Sequence, residues 1–87
     1  MSNRFSKIIK KMTDKEKIKI DEIIKLIIDN PKIGEQKKGD LANVFVYKFN
    51  MNNQQYLLAY MFNELTRTLL TLGVHENFYR DLKNILQ

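Results

Sequence analysis

Cysteine is absent from this 87-residue sequence, which has only one histidine, one proline and three glycines. Without cysteine, a disulfide framework and a thiolate zinc site are both excluded, and one histidine cannot supply a cluster of imidazole ligands. Nucleotide-binding glycine motifs and paired catalytic carboxylates are missing as well, which argues against an ordinary metabolic enzyme. We therefore expect one small domain over residues 1–87, with a single core and no metal or other cofactor.

Long apolar runs are also missing. The longest one, residues 56–62, is far too short to cross a bilayer. Residues 1–5 lack the unbroken apolar core of a signal peptide. We expect a soluble cytoplasmic protein without a membrane partner, and the absence of cysteine fits that reducing compartment.

Positive charge is abundant but unevenly distributed. The net charge is +5, and residues 1–38 hold eleven Lys and Arg against six Asp and Glu, whereas residues 39–87 hold four against four. The whole excess therefore lies in the first half. It indicates either a solvated lysine-rich helical surface or a face that binds nucleic acid or an acidic protein.

Two amphipathic helices are predicted in the first half. Thr13 and Glu16 form a capping-box pattern, so the second helix should begin at about Asp14, and Asn30-Pro31 should end it. The two segments form either a helical hairpin or one long kinked helix. Their apolar positions recur at helical spacing: Phe5, Ile8, Ile9 and Met12 in the first, and Ile20, Ile23, Ile24, Ile27 and Ile28 in the second.

From Gly39 onward the period changes to two, and β-branched and aromatic residues predominate. Strands are predicted over residues 44–51 and 54–62, joined by Asn52-Asn53, because asparagine tolerates the positive φ of a two-residue hairpin turn. A third long strand should span residues 67–75, with a short leading strand at 36–38 and a final helix at 76–86. The fold class is α+β: an N-terminal helical hairpin on a three- to four-stranded antiparallel sheet, with a short C-terminal helix.

The predicted pairing defines two sheet faces. The Asn52-Asn53 turn places Lys48 opposite Leu57, and a three-residue second link places Leu57 opposite Gly73. We expect the helices on the bulky face, which leaves Lys48 and His75 on the thin face, roughly 10 Å apart, with room for a phosphate. A one-residue slip would move His75 to the other face. The thin face comprises Val44, Val46, Lys48, Leu57, Ala59, Met61, Leu69, Thr71, Gly73 and His75; the bulky face comprises Phe45, Tyr47, Phe49, Tyr56, Leu58, Tyr60, Phe62, Leu70, Leu72 and Val74.

Three segments carry a resemblance to a known family. The order of elements, residues 30–41 (NPKIGEQKKGDL), the strand 44–49 (VFVYKF) and the tail 72–82 (LGVHENFYRDL) together resemble the RelE/ParE superfamily of bacterial toxin-antitoxin toxins. The resemblance covers nearly the whole chain. It implies a toxin of a type II toxin-antitoxin module whose partner is a cognate antitoxin that wraps part of it.

The superfamily has two mechanistic branches. RelE-like members cut messenger RNA on the ribosome without metal, by attack of the ribose 2′-hydroxyl on the adjacent phosphate; ParE-like members instead inhibit DNA gyrase. For the first branch, the resemblance implies His75 as general acid or base and Tyr79 as base platform or hydroxyl contact. It implies Lys48 and Arg80 as charge stabilisers. The strands of this chain contain fewer basic residues than those of ribosome-dependent members, which leaves the gyrase alternative open.

Further basic residues would bind RNA without catalysing. Lys37 and Lys38 resemble residues that position the backbone. Arg67 is also implied as an RNA contact, but it lies about 27 Å along the strand from His75, so Arg80 is the better companion of the histidine.

Each catalytic candidate also has a structural interpretation. His75 would then be a hydrogen-bonding residue at a helix start, Tyr79 a half-buried core aromatic, and Lys48 a solvent-facing strand lysine.

Overall fold

A computed structural model describes residues 3–86, and within that range the side chains of residues 3, 40 and 75–77 lie outside the description. Three helices and four strands are present there: α1 (Asn3–Lys10), α2 (Asp14–Asp29), β1 (Glu35–Gln36), β2 (Phe45–Met51), β3 (Gln54–Phe62), β4 (Arg67–Val74) and α3 (His75–Leu86). Two 3₁₀ turns, Pro31–Ile33 and Gly39–Leu41, flank β1. The strands form one antiparallel sheet in the order β1-β2-β3-β4. The predicted α+β class is confirmed.

The start of α2 is set by the predicted capping box. The Glu16 amide donates to the Thr13 hydroxyl (3.2 Å), and the Thr13 amide donates to the Glu16 carboxylate (2.9 Å). Both bonds satisfy amides that a helix start leaves without partners. The helix ends at Asp29, before Asn30-Pro31. Because α1 and α2 are separate, the helical hairpin is correct and the single kinked helix is not.

The β2–β3 hairpin has the predicted turn and register. Asn52 and Asn53 adopt φ values of 56° and 62°, the left-handed conformation that this turn requires. Lys48 pairs with Leu57, and Leu57 pairs with Gly73.

The β3–β4 pairing differs from the prediction near its link. The register shifts between Ala59 and Tyr60, so that Ala59 pairs with Thr71 but Tyr60 pairs with Leu69. Leu70 is thus an extra residue in β4, and a bulge of this kind exchanges the faces of the residues beyond it. Leu69 lies on the bulky face and Leu70 on the thin face, so both predicted assignments were wrong. β4 also ends at Val74, and His75 begins α3 instead of ending a strand.

The core consists of two clusters, one on each face of the sheet. On the bulky face, Phe5 of α1 and Ile27 of α2 are fully buried against Leu58 and Tyr60. On the thin face, α3 packs its buried residues Phe78 and Leu82 on the sheet. The expectation that the helices lie only on the bulky face was therefore wrong, because the last apolar stripe of the chain needs a surface to cover and the thin face supplies it. The remaining residues of that second cluster are Leu41, Val44, Val46, Leu57, Ala59 and Leu70.

Candidate functional site

The short strand β1 brings two charged side chains onto the thin face. Glu35 pairs with Val46, and the Lys37 amide donates to the Val44 carbonyl (2.8 Å), so Glu35 and Lys37 share the face of these buried valines. The Lys37 ammonium contacts the Glu35 carboxylate at 3.0 Å. The side chain of Lys37 is only 17% exposed, whereas that of Glu35 is 62% exposed. Lys37 is therefore held over the sheet and Glu35 faces solvent.

Helix α3 adds an aromatic ring to this pair. The Lys37 ammonium lies 5.2 Å from the centre of the Tyr79 ring. Tyr79 is half-buried and meets Phe78 edge to face, with ring centres 5.2 Å apart. Since Phe78 is anchored in the thin-face cluster, the sheet packing of α3 determines where Tyr79 stands. The Tyr79 ring thus packs on the core of the thin face and also contacts the Lys37 ammonium.

Neighbouring side chains shift the pKa values of Lys37 and Glu35. A hydrogen bond to the Tyr79 side chain is the main cause that raises the pKa of Lys37; burial opposes it, and Glu35 adds to it. The hydrogen bond from Lys37 and the charges of Lys37 and Lys48 lower the pKa of Glu35. At neutral pH Lys37 is therefore cationic and Glu35 is a carboxylate. We call Glu35, Lys37, Lys48 and Tyr79 the Lys37 site.

Lys48 stands at the edge of a more open part of the thin face. It is exposed, and its lateral row continues through buried Leu57 to Gly73. A Cβ added at Gly73 would meet nothing within 4 Å, so the space above Gly73 itself is open. His75 follows two residues later as the first residue of α3. Its side chain, on which the predicted geometry depends, lies outside the described residues.

Among the other predicted basic residues, Arg67 lies away from Lys37. Arg67 begins β4, about 20 Å from Gly73 along that strand. Its guanidinium donates to the Asn63 carbonyl (2.8 Å) and lies 5.8 Å from the centre of the Phe62 ring. Its Nε is buried and has no hydrogen-bond partner among the described residues. Lys38 and Arg80 are exposed, beside Lys37 and Tyr79 in the chain.

Comparison with known proteins identifies the family. A family model described as the ParE-like toxin of type II bacterial toxin-antitoxin systems matches residues 1–83. The chain belongs to this family. No match was found among curated proteins or among solved structures. Membership in this family supports toxin function and implies a cognate antitoxin as the partner of this ParE-like toxin.

Glu35 is the site residue that the sequence analysis missed. The leading strand was placed at residues 36–38, whereas β1 of the toxin spans Glu35–Gln36. A signal was present, because residues 35 and 37 of an extended segment must share a face. In this ParE-like toxin Glu35 supplies the carboxylate that contacts Lys37.

Within residues 3–86, apart from the undescribed side chains, no group of three or more His, Cys, Asp or Glu is placed to hold a metal ion. Over the same part of the chain, no helix has the length and apolar character needed to cross a membrane.

Proposed function

We propose that this ParE-like toxin is a metal-independent, ribosome-dependent endoribonuclease of messenger RNA. The observation that carries the proposal is the contact between Lys37 and Tyr79 beside Lys48 and Glu35. Two cations, a carboxylate and an aromatic ring stand together on the thin face. His75 follows β4 by one residue, one helical turn before Tyr79.

The proposed reaction is an internal transfer of the phosphodiester. A base takes the proton of the ribose 2′-hydroxyl, and the 2′-oxygen forms a bond to phosphorus as the bond to the 5′-oxygen breaks. An acid returns a proton to the departing 5′-oxygen, which leaves a cyclic phosphate and a 5′-hydroxyl. Glu35 and His75 are the proposed proton-transfer residues. Lys37 and Lys48 stabilise the charge that grows on the phosphate oxygens, Arg80 assists from α3, and Tyr79 stacks on a base.

Inhibition of DNA gyrase is the second candidate. It is favoured by the description of the matched family as ParE-like and by the position of α3, which covers much of the thin face. Less of that face is then open to RNA than on a bare sheet. Lys38 and Arg67 are proposed as RNA contacts of the ribonuclease. They would not have that role if the toxin inhibits gyrase.

The histidine separates the two candidates. We expect His75→Ala to leave the fold intact while it abolishes growth arrest and messenger cleavage, measured by primer extension after brief expression. Asn77→Ala, on the same turn of α3, is the control. If the toxin acts on gyrase, His75→Ala remains toxic and cells accumulate cleaved DNA rather than shortened messengers. That result would refute the proposal that the toxin is a ribonuclease.

A further inference from the structure

The tip of the β2–β3 hairpin is rich in carboxamides. Residues 50–55, here called the hairpin tip, contain Asn50, Asn52, Asn53, Gln54 and Gln55, and all five are exposed. Asn52 donates to the Glu16 carboxylate at 2.7 Å. The other four make no side-chain hydrogen bond to any described residue. Each of these therefore presents a donor and an acceptor to solvent.

The hairpin tip is also concave. An open depression of about 500 Å³ is lined by residues 50–55. A neighbouring pocket joins the tip to α2, where Lys15 and Lys19 are balanced by Glu16 and Glu22. Since no charge excess exists there, this region suits a neutral group with hydrogen-bonding edges better than a phosphate.

Two of the carboxamides lie on the thin face, in line with the Lys37 site. Asn50 pairs with Gln55 across the hairpin, as Lys48 pairs with Leu57. Asn50 lies two residues beyond Lys48 on β2, about 7 Å away along the strand. Because residues two apart share a face, Lys48 and the Asn50–Gln55 pair form one continuous exposed edge of that face.

We infer that Asn50 and Gln55 form a subsite that reads a nucleobase of single-stranded RNA held at the Lys37 site. This inference rests on the proposed ribonuclease function and adds its source of sequence preference. Carboxamides match adenine best, because the amide donates to a ring nitrogen while its carbonyl accepts from the exocyclic amine. Unstacked bases of single-stranded RNA expose these edges. The neutral surroundings place the phosphate contacts elsewhere, on Lys37 and Lys48.

The test is a binding assay that does not depend on cleavage. RNA hexamers carrying 2′-O-methyl groups cannot undergo 2′-hydroxyl attack, so the affinity of the purified toxin for them reports recognition alone. Four hexamers differ only in one central base. We expect the adenine hexamer to bind at least about fivefold more tightly than the uracil hexamer. Asn50→Ala and Gln55→Ala should each remove that preference while the salt dependence of binding stays unchanged.

Gln54→Ala is the matched control. Gln54 has the same chemistry and pairs with Met51, whose side chain belongs to the cluster on the bulky face, so Gln54 points away from Lys48. It should keep the adenine preference. Equal affinities of the wild type for all four hexamers, or equal effects of Gln54→Ala and Asn50→Ala, would overturn the subsite. So would variants that weaken binding of the antitoxin and leave RNA binding unchanged.

The same samples distinguish failure of the subsite from failure of the proposed function. If only the subsite is wrong, the toxin still cuts unmodified messenger RNA on ribosomes, without an effect of Asn50→Ala on the choice of cleavage position. If the ribonuclease itself is wrong, no cleavage occurs for any variant, and the hexamer assay still decides whether the hairpin tip reads bases.

Discussion

Lys37 is the residue on which the proposed chemistry depends most. It contacts the Glu35 carboxylate at 3.0 Å and lies 5.2 Å from the Tyr79 ring centre, so it links the sheet to α3 at the site. Its raised pKa, caused first by the hydrogen bond to Tyr79, keeps it cationic at all physiological pH values. Such a fixed cation is suited to the charge that develops on a phosphate during transfer.

We expect Lys37→Met to lower the rate of messenger cleavage by about 100-fold or more, because one preorganised charge stabiliser is lost. The measurement is single-turnover cleavage on programmed ribosomes. Lys25→Met, an exposed lysine on α2, removes the same charge away from the site and should retain the wild-type rate. A fully active Lys37→Met protein would contradict the role given to this lysine.

Tyr60 is a residue with a structural task. Its ring is fully buried, and its hydroxyl donates to the Pro31 carbonyl (2.6 Å) and accepts from the Gly34 amide (3.0 Å). Burial is the main cause that raises its pKa. The hydroxyl thereby fixes the turn that leads from α2 into β1, and with it the start of the strand that carries Glu35.

We expect Tyr60→Phe to reduce the free energy of unfolding by about 1–3 kcal/mol, because two backbone groups in the turn lose their partner. Denaturant unfolding monitored by circular dichroism measures this. Tyr47→Phe, on the same face and half-buried, is the matched control and should have a smaller effect.

A second variant tests the same contact from the other side. A Cβ at Gly34 would lie 2.6 Å from the Tyr60 hydroxyl, so Gly34→Ala should destabilise the wild type more than it destabilises Tyr60→Phe. Additive effects in this double-mutant cycle would show that the two residues do not interact.

At the scale of elements, α2 is defined by its capping box. The hydrogen bond from the Thr13 amide is the main cause that lowers the pKa of Glu16, and bonds from Asn52 and Thr13 side chains add to it. A carboxyl group whose pKa is lowered by folding stabilises the fold at pH values above its ordinary pKa of 4.5. That contribution is lost as the pH falls through the lowered pKa.

The pH dependence of stability should therefore change in Glu16→Gln. The wild type is expected to be more stable than the variant at neutral pH, and this difference should shrink as the pH falls below about 4.5. Urea unfolding at several pH values gives the comparison. Glu22→Gln, on the exposed side of the same helix, provides the control. A difference that is independent of pH would exclude the carboxylate as its cause.

The elements also show how far the sequence could predict the fold. The limits of α2 and the register of the central hairpin were correct because Thr13, Glu16, Asn52 and Asn53 act on backbone groups within a few residues. The bulge at Leu70 was not predictable in this way. It depends on how β4 must bend so that Leu69 packs in the cluster of α1 and α2 while Leu70 packs in the cluster of α3, and the local pattern of β4 does not specify this.

At the scale of the whole molecule, the sheet separates two clusters, and α3 belongs to the smaller one. Leu82 is fully buried there, among Val44, Leu57 and Phe78. The same helix carries Tyr79 to Lys37. The candidate site therefore depends on the packing of α3 on the thin face.

We expect Leu82→Ala to lower the free energy of unfolding by about 2–5 kcal/mol, because a buried leucine leaves a cavity. We also expect reduced cleavage at temperatures at which the variant is folded, since α3 holds Tyr79 less firmly. Thermal denaturation and cleavage assays give the two values. Leu86→Ala, at a position 38% exposed on the same helix, should change both less. Full activity of a folded Leu82→Ala protein would separate α3 packing from the site.

By itself, the sequence determined the α+β class, the limits of α2 and the pairing of Lys48 with Leu57, since these follow from caps, turn residues and hydrophobic period. Only the tertiary structure decided that α3 covers the thin face and that Glu35, Lys37 and Tyr79 meet there. The physical reason is that local patterns specify which surfaces are apolar, whereas the choice of partner for each surface depends on contacts between separate segments of the chain, such as that of Lys37 with Tyr79.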